Sequence, residues 1–215
     1  MFQTATAGAG KSFSITNAGN VGIGTTSPNS KTEILSSVPV GESELLQIRN
    51  GSTSAGTTSV FRFINSTDPS SYSNGAFIKC GRVTTNQHYL AFGPSNSEAM
   101  RLDSSGRLLI GTSSSDPWRS EQDVIQLGDN GSISHYEGLI TNLNHNFYID
   151  SAGNTKYSQT GQEAFTINLN SFSNAIEFKY APSGTAGDTF SFNTAAVINS
   201  SGNVYIGDSD PGFYP

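Results

Sequence analysis

The chain reads as an all-β protein assembled from repeated hairpins, and three observations carry that reading. A turn block recurs along the sequence, the residues flanking it alternate apolar and polar, and uncharged polar residues with glycine replace much of the usual core. The block is Ser14-Ile-Thr-Asn-Ala-Gly-Asn-Val-Gly-Ile-Gly24, then Arg101-Leu-Asp-Ser-Ser-Gly-Arg-Leu-Leu-Ile-Gly111, then Val197-Ile-Asn-Ser-Ser-Gly-Asn-Val-Tyr-Ile-Gly207. Self-similarity at wide spacing marks modules strung in a line.

Each block predicts a hairpin. Thr16, Asp103 and Asn199 stand three residues before Gly19, Gly106 and Gly202. Asp, Asn or Ser favours the start of a type I turn, and the glycine supplies the left-handed residue that closes a three-residue loop. That loop places Ile15 opposite Val21 and Phe13 opposite Ile23, Leu102 opposite Leu108 and Met100 opposite Ile110, and Ile198 opposite Val204 with Ala196 opposite Ile206. A decayed fourth copy surrounds Gly153: Asp150 opens the turn, Ile149 faces Thr155 and Phe147 faces Tyr157, but the closing Ile-Gly is absent.

A lone two-stranded hairpin is marginal in water, so these apolar faces need cover. Three copies meeting about a threefold axis would bury Phe13, Ile15, Val21, Ile23, Met100, Leu102, Leu108, Ile110, Ile198, Val204 and Ile206 between chains. A single-chain β-sandwich with look-alike strands is the alternative. Composition favours the first: the hydrophobic fraction is 34% and the charged fraction 13%, against about 25% charged in an ordinary domain. Aromatic residues at 10% argue against a disordered chain.

The blocks divide the chain into an N-terminal hairpin block (1–28), a first β module ending in a hairpin block (29–117) and a second (118–215), each module small and sandwich-like or prism-like. Apolar runs predict strands at 44–48, 60–64, 75–79 and 88–92 in the first module, and at 123–127, 165–169, 175–179 and 189–192 in the second. The one helix candidate lies around Ser115 to Asp123, where Asp116-Pro117 opens a short polar stretch that reads equally well as an irregular crossover.

Charge and motifs exclude several functions. A net charge of −6 with scattered Lys and Arg leaves no basic stripe for nucleic acid. No apolar run has bilayer length, and the N-terminal residues lack a signal-peptide pattern. Gly10-Lys11-Ser12 mimics the end of a phosphate loop, but Ala5 stands where that loop needs glycine. Cys80 reads as a small strand residue, and the sequons at Asn50, Asn65 and Asn130 are what an Asn- and Ser-rich chain produces by chance.

No catalytic, cofactor or metal residues are assigned. His88, His135 and His145 lack paired ligand spacing, although a threefold axis would gather any one of them into a ring of three imidazoles. Glu137 and Asp150 are the candidates for a glycosidase-type carboxylate pair, each with a plain reading as a loop or turn residue. Tyr136, Asn142, His145 and Tyr148 mix rings with amide and imidazole groups as a glycan site does; the plainer reading makes them ordinary surface residues around an inward Phe147.

The phrases Gly19-Asn-Val-Gly-Ile-Gly-Thr-Thr-Ser-Pro28 and Ala99-Met-Arg-Leu-Asp-Ser-Ser-Gly-Arg-Leu-Leu-Ile-Gly-Thr-Ser-Ser114 resemble the repeated blocks of tail-fibre and related fibrous virion proteins of tailed bacteriophages, cyanophages and marine phages among them. Ser73–Arg82 and Tyr89–Ser97 look like the interior of the same family. The resemblance implies an elongated homotrimer of hairpin shaft elements, exposed on the virion and assembled in the host cytoplasm. Its implied partners are its own copies, other tail or capsid proteins and a host-surface glycan or protein, with no catalytic residues to carry over. The family's N-terminal adaptor and helical C-terminal chaperone are not recognisable, which keeps a head fibre, decoration or connector protein as the alternative. A polysaccharide depolymerase is a further one.

Overall fold

A computed structural model describes residues 3–4, 13–35, 46, 50–64 and 75–207. They form strands and turns, with no helix among them. The chain divides into two compact units, residues 1–49 and 50–215. The predicted strand at 44–48 (Leu46 apart), Gly10–Ser12 and the segment after Gly207 lie outside the described residues.

The first unit holds a four-stranded sheet in the order β1 (Gln3–Thr4), β2 (Phe13–Ile15), β3 (Val21–Ile23), β4 (Thr32–Ile34). Ile15 pairs with Val21 across the β2–β3 hairpin. After Pro28 the chain crosses back and β4 joins β3 in parallel, Val21 beside Thr32 and Ile23 beside Ile34.

The second unit holds one twelve-stranded sheet. In chain order its strands are β5 (Thr58–Phe63), β6 (Ala76–Thr84), β7 (Gln87–Gly93), β8 (Met100–Leu102), β9 (Leu108–Ile110), β10 (Gln122–Leu127), β11 (Gly131–Tyr136), β12 (Ile140–His145), β15 (Ala164–Asn170), β16 (Ala175–Ala181), β17 (Asn193–Asn199) and β18 (Val204–Ile206). Each strand pairs with its sequence neighbour except at β12, which pairs directly with β15. The chain between them forms a separate hairpin, β13 (Phe147–Ile149) and β14 (Thr155–Tyr157). All pairings are antiparallel but one, β9 with β10. That parallel step repeats the β2–β3–β4 arrangement: hairpin, proline-containing crossover, parallel strand. Among the described residues the only other sheet of this unit is the β13–β14 hairpin, and strands from both sides of residues 117 and 118 belong to the one twelve-stranded sheet.

Four hairpins share one turn. In each, the N–H of the glycine donates to the carbonyl three residues earlier, as Gly106 does to Asp103, and the N–H of that earlier residue donates across the loop, as Asp103 does to Arg107. Thr16, Asp150 and Asn199 repeat both bonds with Gly19, Gly153 and Gly202. The side-chain oxygen of Asp103 also accepts from the N–H of Ser105 and Arg107, which explains the preference for a short acceptor there. Gly106 has φ +80°, in the left-handed region where a side chain is strained.

The helix candidate is an irregular crossover from β9 to β10, with Trp118 buried and no helical turn. Residues 189–192 are likewise not a strand. Thr189 makes one bridge to Lys156, and Phe190 and Phe192 turn inward onto Phe147 and Tyr157. Their alternating aromatic pattern serves the packing of a loop, not a ladder.

Candidate functional site

The central feature of the second unit is how its sheet distributes polarity. Side chains directly opposite on paired strands share a face. One rung runs Ser59, Cys80, Leu90, Leu102, Leu108, Ile125, Ile133, Leu143, Ile167, Phe178, Ala196, Ile206, crossing all twelve strands. A second rung beside it carries Phe61, Ile78, Phe92, Met100, Ile110, Leu127, Gly131, His145, Phe165 and Tyr180. This face is greasy from edge to edge, and it is exposed. Leu143 is 53% accessible, Phe165 49% and Ile206 82%.

The opposite face carries the polar residues and is the one that is covered. Gln126, Ser132, Ser134, Asn142, Asn144 and Thr166 are all buried there. They bond to one another: Asn144 Nδ2 donates to Ser134 Oγ at 2.9 Å, and the Thr166 hydroxyl donates to Asn144 Oδ1 at 3.0 Å. Such cross-linking makes burial of amides and hydroxyls tolerable. Against this same face packs the β13–β14 hairpin. Tyr148 packs with Trp118 and Val124 at one side, and Phe147 and Tyr157 pack with Ala164 and Ala181 at the other. Asn146 pins the hairpin's base: fully buried, at φ +59°, it donates from Nδ2 to the carbonyls of Gln159 and Gln162 and accepts from the Gln159 N–H.

Charges follow the same division. Arg62, Lys79 and Arg101 stand on the polar face against the rings of Phe77 and Tyr89, Arg101 only 3.8 Å from the Tyr89 centroid. Glu98 accepts from both Lys79 and Arg101. Burial raises the affinity of the Glu98 carboxylate for a proton, but these two cations outweigh it and hold the group below its ordinary value. Glu177 is governed the same way: burial opposes its charge, yet Lys179 at 2.7 Å and Asn170 at 3.2 Å keep its carboxyl below the usual range. Asp116 goes the other way, because burial dominates over its bond from Ser158.

The structure scatters the residues considered for a glycan site. Tyr136 lies on the polar face under the Arg119 guanidinium, 3.6 Å from the ring centroid. Asn142 and Tyr148 are buried, and His145 is on the opposite, apolar face. They do not make one binding surface. Of the suggested carboxylate pair, Asp150 is occupied by its turn: bonds from the N–H groups of Asn154 and Ala152 hold it ionised below its usual range, the wrong state for a proton donor. Glu137 occupies a turn at φ +44°.

Met100, Leu102, Leu108, Ile110, Ile198, Val204 and Ile206 all lie on the exposed apolar face. In the first unit Phe13 and Ile15 share one face of β2, and Ile23 on β3 is exposed. Sequence reasoning missed the strands β11 and β12, whose alternation puts serine and asparagine inward. Among the described residues no group of three or more His, Cys, Asp or Glu side chains is arranged to hold a metal ion, and no helix is long and apolar enough to cross a membrane. No protein-family model matches the chain, and no curated protein matches it.

Proposed function

We propose that this chain is the subunit of a homotrimeric fibrous virion protein, a tail fibre of a tailed bacteriophage, with its apolar sheet face turned inward against two further copies. It gives the particle reach and contributes to host-surface attachment, where three identical displays multiply a weak contact. The reading rests on one observation, the apolar rung that crosses twelve strands with nothing over it among the described residues.

A like face is the natural cover, because the apolar surface is continuous and almost uncharged. The number three comes from the family that the repeat blocks resemble.

Sedimentation of the purified chain at micromolar concentration tests the reading. It should run as a trimer, and Leu143→Asp, which touches no intrachain core, should run as a folded monomer. A folded monomer for the unmodified chain would overturn it. Labelled imaging of phage particles then places the trimer on the tail, and competition of the purified trimer with phage for host cells checks attachment.

A further inference from the structure

All three histidines of the chain lie on the apolar face. His145 on β12 stands between Gly131 and Phe165, His135 on β11 stands opposite Asp123, and His88 on β7 stands opposite Arg82. Apart from them, Arg82 and Asp123 are the only ionisable Lys, Arg, Asp or Glu side chains that the twelve strands place on this face. The lysines, the other arginines and the glutamate of those strands are all on the polar face. A face otherwise cleared of charge has kept the one side chain that changes charge between pH 5 and 8.

We infer that His145 makes self-association acid-labile: the trimer holds with a neutral imidazole at this position and loosens when the ring takes up a proton. The inference rests on the assembly proposed above. His145 borders a groove of about 480 Å³ whose walls are Leu143, Phe165, Ile167 and Phe178. Its ring lies 6.3 Å from that of Phe165. The groove brings two ionisable side chains near it, Tyr180 beyond Phe165 on the same face and Lys179, whose ammonium is paired with Glu177 on the other face, and the exposed Glu163 stands two residues before Phe165 in the chain, just outside β15. On β11 the same face offers Gly131 and Ile133, with His135 at the far end of the strand. No carboxylate on β11 or β15 faces His145 to compensate an imidazolium.

The other two histidines are differently placed. His135 is held by Thr141 Oγ1 at 2.9 Å and accepts the Gly138 N–H at 3.0 Å through Nε2, with Asp123 across the rung. His88 faces the cation of Arg82. A charge left without a partner in a dry contact is costly, so separated chains bind more protons than the assembled ones and association weakens as the solution is acidified.

The test is the thermal dissociation midpoint of the trimer at pH 7.5 and pH 5.0 at equal ionic strength, read by light scattering. The midpoint should fall by at least about 3 °C at the lower pH. His145→Phe, which keeps an aromatic ring and cannot be charged, should lose most of that fall, and His145→Gln provides the same control should the larger ring disturb packing. Equal midpoints for the unmodified trimer at both pH values, or an undiminished fall in both variants, would overturn the inference and leave the trimer standing. A monomer at pH 7.5 would overturn the assembly itself.

Discussion

Two residues show how local chemistry sets this structure. Gly106 closes its turn at φ +80° with open space where a Cβ would stand, so its requirement is conformational alone. Gly106→Ala should therefore cost about 1–2 kcal/mol of unfolding free energy in urea, and Gly106→Asn less, because asparagine tolerates the left-handed region. Glu98 shows the electrostatic side. Its folded-state proton affinity is depressed, so the stability it contributes is present above its ordinary value of 4.5 and is lost as pH falls through the lower folded value. Glu98→Gln should lower the thermal midpoint at pH 7, and the gap to the unmodified protein should narrow below pH 4.5. A gap that stays constant into acid would show that Lys79 and Arg101 do not act through this carboxylate.

At the scale of elements, one turn design serves two ends. Around Gly106 and Gly202 it joins strands that stay in the sheet, whereas around Gly153 it builds a hairpin that leaves the sheet and lies over its polar face. Register was legible because turn chemistry fixes it locally: Leu102 meets Leu108 and Phe147 meets Tyr157 as the loop geometry requires. The destination of the Gly153 hairpin was not legible, since Phe147, Tyr148 and Tyr157 alternate as they would in any strand. Phe147 packs against Tyr157, Phe190 and Phe192, in one of the few intrachain apolar clusters. Phe147→Ala should cost roughly 3–5 kcal/mol and should raise amide exchange at the ends of β15 and β16, whose Ala164 and Ala181 share its cluster. An exchange pattern left unchanged would mean that this cluster does not hold those strand ends.

Across the whole molecule, the sheet of the second unit is inverted relative to an ordinary soluble sheet, with its polar side covered and its apolar side bare. This inversion is why β11 and β12 escaped the sequence reading: Ser132, Ser134, Asn142 and Asn144 alternate with Ile133 and Leu143 at the period of a strand, and nothing in the period says which set faces inward. The same inversion separated His145 from Tyr136, Asn142 and Tyr148, neighbours in the chain that strand alternation and the outlying hairpin send to different surroundings. By itself the sequence determined the all-β class, the hairpin turns and the residues that oppose one another across them, because those follow from short-range sterics of glycine, from short acceptor side chains and from a period of two. Only the tertiary structure decided that the two stretches of chain between the repeats share one continuous sheet, that one hairpin folds over it and that the apolar face stays bare. Those depend on which strand edges meet across many residues and on which face finds cover, and no local rule carries that information.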